Sequence, residues 1–260
     1  MLLQLRLLLL LLLSVPACAI RPALATRAFR HCCTKASDSL PENLLPETSE
    51  TSNRGAMAPP TLLYFPFPGR AGAIRLAFFI GGVDFEDKHL SFEELRSSSR
   101  KHLPVLQMDG VEYSQSTALL RYAGRISGLI PEDPLAALKV DEIVMTVEDI
   151  SIAIDTTIYV QDPQEKVEMR QALAAGKIKD IVEGLEAKLR ANPSSPYFVG
   201  DSLTIADLIM HAAMATFELG LGELEGFAPT IVSDISPALK KHQDAVMRHP
   251  KVMEYYASSE

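Results

Sequence analysis

"LPVLQMDGVEYS", residues 103–114, leaves its backbone few options. Two short runs of mixed apolar and polar residues flank Asp109-Gly110, a dipeptide suited to positive φ at both centres of a two-residue turn. A β-hairpin is expected here. The sequence before it reads as the rest of a sheet. "TLLYF" (61–65) suits a short strand, and "GRAGAIRLAFFIGG" (69–82) suits a helix ended by Gly81-Gly82. "VDFEDKHL" (83–90) alternates enough for a second strand, and "SFEELRSSSRKH" (91–102) is a short helix or loop. After the hairpin, "QSTALLRYAGRISG" (115–128) reads as a helix that closes on Gly128. The order β-α-β-(α)-β-β-α makes one small α/β layer.

From "IPEDPLAALKVDE" onward the chain turns helical. Long periodic runs occupy roughly 134–161 and 164–191. A helix then follows with Thr204 as N-cap and Asp207 three residues on, the spacing of a capping box. "SPALKKHQDAVMRHP" (236–250) is expected to be the last helix, with Pro250 past its end.

The first 56 residues have a different character. "MLLQLRLLLLLLLSVPACA" has an apolar run of signal-peptide length and ends on Ala17-Cys18-Ala19, a small-residue cleavage pattern. "IRPALATRAFRHCCTK" is basic and free of acids, as transit peptides are, and the polar, Pro-bearing stretch after it reads as a linker. A signal peptide (1–19) and a transit-like, flexible leader (20–56) are expected. Together they resemble the bipartite presequence of secondary plastids. Plain secretion, or a cytoplasmic form begun at Met57, are the alternatives.

The leader holds all 3 cysteines, at positions 18, 32 and 33. The remainder is therefore expected to lack disulfides, a thiolate nucleophile and any Cys-based metal site. The 6 histidines show no ligand spacing, so no metal is expected. Formal net charge is -8, and residues 1–56 carry 6 Lys/Arg against 4 Asp/Glu, so the folded part is more acidic still. An acidic chain without a basic patch argues against nucleic acid as partner. There is no tryptophan to line a pocket.

Four segments carry a resemblance: "LLYFPFPGRAGAIR", "GVDFED", "LPVLQMDGVEYSQSTALLRYA" and "YFVGDSLTIADL". Over about residues 60–258 the chain resembles the cytosolic glutathione transferases, most of all their sigma-like class, and also the glutathione-dependent prostaglandin D synthases built on the same scaffold. The resemblance implies α/β plus all-α architecture: a thioredoxin-like glutathione-binding domain at 57–130, then a helical bundle domain at 135–260. It implies glutathione as co-substrate, a small hydrophobic electrophile as the second substrate, and a homodimer. It gives Tyr64 the role of holding the glutathione sulfur as thiolate. A free thiol has a pKa of about 8.5, and lowering it by about two units takes roughly 2.7 kcal/mol, the scale of one or two strong hydrogen bonds in a dry site. A phenol at a strand end beside a helix N-terminus suits that work.

The same resemblance assigns the other glutathione contacts. Arg70 pairs with a glutathione carboxylate or supports the sulfur electrostatically. Leu103, before a cis Pro104, offers its main chain to the cysteinyl part. Gln115 and Ser116 take the γ-glutamyl end, and Asp149 reaches its amine across a dimer interface. His102 or Lys101 meets the glycyl carboxylate. Bland alternatives stand beside each: a core tyrosine, a strand-starting proline, a helix cap, a solvated helix face. Met210, Met214, Phe217 and Leu221 are core residues or a wall of the electrophile pocket. Three departures mark this chain. Gly72 replaces the family's acid, Leu95 is nearest to its missing indole, and the loop at 96–102 is short, leaving Arg100 or Lys101 in place of a lysine ligand. Conjugation, peroxide reduction, isomerisation and a non-enzymatic ligand-binding or structural role are all compatible with these residues.

Overall fold

The structure is a computed structural model and describes residues 58–100, 102–220 and 224–258. The expected leader, Met57, Lys101 and Leu221 lie outside the described residues.

Strand β1 (Thr61–Tyr64) leads through a 3-10 turn (Gly69–Ala71) into α1 (Gly72–Ile80). β2 (Glu86–His89), α2 (Phe92–Ser97) and the hairpin β3 (Val105–Met108) and β4 (Val111–Tyr113) follow, then α3 (Ser116–Ile126). The sheet order is β2-β1-β3-β4, with β1 parallel to β2 and antiparallel to β3. Met108 pairs with Val111 across the turn, and Asp109 and Gly110 have φ of 50° and 76°, as a two-residue hairpin requires. The optional helix at 91–102 exists because Ser91 and Glu94 form a capping box: Ser91 Oγ accepts from the Glu94 N–H, and Glu94 accepts from the Ser91 N–H.

The helical half comprises α4 (Pro134–Ile158), α5 (Pro163–Ala175), α6 (Lys177–Arg190), α7 (Ile205–Glu218), α8 (Ile231–Ile235), α9 (Pro237–Met247) and α10 (Pro250–Ser258). Three of these open alike, with a polar cap and then proline. Asp133 caps α4 through the Ala136 N–H, Asp162 caps α5 through the Gln164 and Glu165 N–H groups, and Ser236 caps α9 through the Leu239 N–H. Two expectations are corrected. The run at 164–191 is not continuous, because Gly176 departs from helical dihedrals and splits it into α5 and α6. Pro250 does not end the fold: its fixed φ and missing N–H suit a first helical position, and it opens α10.

One hydrophobic core joins both halves. Leu62, Ile74 and Leu106 from the sheet layer belong to the same cluster as Val140 and Ile143 of α4 and Ile205 and Leu208 of α7. Burying each such side chain stabilises by about 1.5–3 kcal/mol. α3 approaches α7 so closely that a Cβ on Gly124 would lie 2.4 Å from Ile205 Cγ2. The expected capping box of α7 is present. Asp207, fully buried, accepts from the Thr204 N–H and hydroxyl and from the Phe198 N–H, and its Oδ1 lies 2.9 Å from His242 Nε2. Asp207 and Thr204 thus tie α7 to the loop before it and to α9.

Candidate active site

A cavity of about 680 Å³ opens between the sheet layer and the helices. Its size suits a small-molecule site. Tyr64, at the end of β1, forms part of its wall and is only 6% exposed. The chain then turns sharply. Gly69, at φ +39°, passes so near the phenol that a Cβ there would lie 2.5 Å from Tyr64 Oη. Glycine at this position lets the next backbone amide reach that oxygen, and the Arg70 N–H donates to Tyr64 Oη at 3.1 Å. With one lone pair so engaged, the phenol proton is left to donate elsewhere. Burial raises the Tyr64 pKa, outweighing the Arg70 hydrogen bond and the Arg70 and Arg75 charges, so the group stays a neutral O–H donor.

Arg75 holds this corner together. It is buried, forms a two-point pair with Asp87 at 2.8 and 3.1 Å, and donates to the carbonyls of Phe65 and Phe67 at 3.0 and 2.8 Å. Its guanidinium lies 5.7 Å from the Tyr64 ring centroid, within cation–π range. The carbonyls of the irregular segment after β1 are thereby satisfied by a helix side chain, which fixes the path of the segment. Phe65, Phe67 and Phe92 line the cavity, with Phe65 stacked on Phe67 at 5.3 Å and tilted to Phe92 at 4.3 Å. Phenyl rings supply the aromatic wall in a chain that has no indole.

Arg70 lies in the cavity, and its charge is already engaged. It pairs with Glu148, and its Nη2 sits 2.7 Å from Asp155 Oδ2, both acids from α4. Ser116 Oγ is 3.5 Å from Arg70 Nη1. Burial acts to lower the Arg70 pKa, but the two carboxylates more than reverse it. Burial holds the Glu148 carboxyl above the usual range despite its partner, with Asp155 and Asp149 adding to the rise. Glu148 and Asp155 were not foreseen as site residues. They stand seven residues apart, two helical turns along one face of α4, and that spacing was readable.

The remaining expected site residues fall in two places. Ser116, the first residue of α3, lines the cavity, where the free N–H groups of a helix start favour an anion. Gln115 beside it is exposed and takes φ +76°, an uncommon left-handed value for a residue with a side chain. Asp149 is exposed and does not line the cavity; within one chain it is not brought together with Tyr64. His102 is also exposed and outside the cavity wall. The Leu103–Pro104 peptide bond is cis, as expected. Arg100, a candidate replacement for the missing lysine, is committed to Glu112 on β4, its Nε 3.1 Å from Oε1. Met210 and Met214 are core residues, and Phe217 is both a core residue and a wall of the cavity. Among the described residues no group of three or more His, Cys, Asp or Glu is placed to hold a metal ion. No helix there is long and apolar enough to cross a membrane.

Comparison with known proteins agrees with this geometry. Residues 148–259 match the model of the glutathione S-transferase C-terminal domain. Glutathione S-transferase 1 of Ascaris suum is 31% identical over 205 residues, covering 75% of this chain and 94% of the relative. Hematopoietic prostaglandin D synthase of Gallus gallus is 30% identical over 159 residues, 60% of this chain and 77% of the relative. The solved structure of prostaglandin synthase D of Nilaparvata lugens shares the fold, with a TM-score of 0.66 at 22% identity, over 76% of this chain and 96% of that one. A four-stranded sheet with its covering helices, a helical second half and a relative of this identity along almost its whole length lead to one conclusion: the chain belongs to the glutathione S-transferase family.

Proposed function

We propose that this protein binds glutathione in the cavity and activates its thiol with Tyr64 for attack on a small apolar electrophile. The observation that carries this reading is the Arg70 N–H donated to Tyr64 Oη. It aims a neutral phenol whose own proton is free to stabilise a thiolate. Arg70, its charge taken up by Glu148 and Asp155, serves to aim Tyr64 through its main-chain N–H and not as partner to a glutathione carboxylate. Ser116 and Gln115, at the start of α3, receive the γ-glutamyl carboxylate, and the main chain of Leu103 before Pro104 receives the cysteinyl part. His102 is assigned the glycyl end. The electrophile lies against Phe65, Phe67, Ile154 and Phe217.

Asp149 stands on an exposed stripe of α4 with Met145 and Ile152, and this supports its acting on a glutathione held by a second copy of the chain. The division into a glutathione-binding domain (57–130) and a helical domain (135–260) is retained as a proposal, as is the role of residues 1–56 as a targeting leader.

The test is the ultraviolet difference spectrum of bound glutathione titrated from pH 5 to 9. A thiolate band well below pH 8 is expected in the native protein. In Tyr64→Phe the band moves up by a unit or more, and kcat/KM falls by roughly 100-fold. Glutathione bound with no thiolate band, or a Tyr64→Phe titration that overlays the native one, overturns the assignment. The similarity to the Gallus gallus synthase supports a second reading, isomerisation of a cyclic endoperoxide. Turnover of such a substrate without consumption of glutathione separates the two.

A further inference from the structure

Arg170 of α5 borders the cavity, takes no part in the thiol chemistry and is only 2% exposed. Its contacts reach two other segments. Nε donates to Thr157 Oγ1 at 2.9 Å, in the last turn of α4. Nη1 donates to the Glu225 carbonyl at 2.9 Å and pairs with the Glu225 carboxylate at 3.4 Å. Thr157 is itself fully buried. Gly226, at φ +98°, passes flush against the same side chain: a Cβ there would lie 3.2 Å from Arg170 Cβ. The Phe227 ring centroid is 5.9 Å from the guanidinium carbon, and Phe227 meets Phe217 edge-on at 5.6 Å.

Each of these contacts has a cavity wall beside it. Ile158 follows Thr157, Leu224 precedes Glu225, and Phe217 packs on Phe227; Ile158, Leu224 and Phe217 line the cavity. A buried ion pair is a weak source of stability, because the desolvation of both charges can cancel their attraction. What a guanidinium supplies is direction, since its donors form a rigid planar fork. Here the fork holds the end of α4 and the 224–227 segment at one spacing.

We propose that Arg170 is a positioning residue for the second substrate. It sets the apolar wall of Ile158 and Leu224 in place before the substrate arrives, and so favours electrophiles whose apolar body is long enough to reach that wall. This rests on the cavity being the electrophile site, and it adds a selection by length.

Calorimetric binding of S-methyl-, S-hexyl- and S-decylglutathione to the full chain tests it. Arg170→Met keeps an apolar stem and removes the donors. The variant is expected to lose about ten-fold in affinity for the S-decyl compound, the scale of two side chains that must now be ordered on binding, and to hold the S-methyl compound within about two-fold. Arg170→Lys, a single ammonium in place of the fork, restores part of the loss. An S-decyl to S-methyl affinity ratio that is equal in native protein and Arg170→Met overturns the proposal, as does an equal loss for all the compounds. If Arg170→Met does not fold, Thr157→Val, which removes the acceptor beside Ile158, is expected to lower the same ratio, and an unaltered ratio overturns the proposal. A native protein that binds none of the compounds retires the glutathione reading. The rise in melting temperature on adding decanol then decides the positioning role: a smaller rise in Arg170→Met supports it and an equal rise overturns it.

Discussion

At the scale of single residues, the site is a contest over one positive charge. Arg70 faces two carboxylates, so the group of three is net negative beside Tyr64, the proposed thiol activator. A nearby like charge opposes ionisation. On the proposed mechanism, Asp155 holds the glutathione thiol less acidic than Tyr64 alone would make it. Asp155→Asn is expected to lower the pKa of bound glutathione by about half a unit, read from the thiolate band, while Tyr64→Phe raises it. An unchanged midpoint in Asp155→Asn would show that the acid is screened from the sulfur. The placement of Tyr64 at a strand end and of Ser116 at a helix start was legible in the sequence because such ends announce themselves locally. Glu148 and Asp155 were not, because nothing local distinguishes them from Asp149. Which face of α4 meets Arg70 is settled only when a segment nearly eighty residues earlier packs against it.

At the scale of elements, polar groups buried between helices set the pH range of the fold. His211 of α7 is 2% exposed, and its Nε2 lies 2.8 Å from Tyr256 Oη of α10. Burial, followed by the His242 and Lys240 charges, lowers its pKa to about 4. The same burial pushes Tyr256 up to about 12, so this pair is neutral on both sides near pH 7. The unfolded chain takes up the His211 proton first. The stabilisation is complete above the ordinary histidine value and is lost as pH falls through the window from about 6.5 to 4. By the bottom of that window about 3 kcal/mol is lost. Urea midpoints measured across this range are expected to drop steeply for the native protein and more gently for His211→Gln; parallel curves would assign the loss to other groups. The strands, α1, α3 and the capped start of α7 were readable because turns, glycine stops and caps are short-range signals. The break at Gly176 and the helix after Pro250 were not. Glycine inside a periodic run is ambiguous, and proline serves a helix start as readily as an end.

At the scale of the whole molecule, the outward stripe of α4 bears on assembly. Met145 and Ile152 are exposed apolar residues beside Asp149. If this stripe is the surface between two copies, Ile152→Lys shifts the protein to half its mass in sedimentation at micromolar concentration; an unaltered mass would place the contact elsewhere. Assembly is expected only through resemblance, since a monomer's sequence does not say which apolar faces remain outside the core. The fold class was legible because an α/β layer and a helical half differ in periodicity. The cavity between them was not, because its walls come from segments with no common pattern. α7 carries a last consequence. Met210, Met214 and Leu208 on one side belong to the shared core, while Ile209, Ala213 and Thr216 on the other are half-buried against the cavity. The face that keeps the molecule folded and the face that meets the cavity run along a single helix and overlap at Ala212 and Phe217. Outside that overlap, Thr216 can drift through generations of sequence change and reshape the cavity while the core side of α7 is inherited intact.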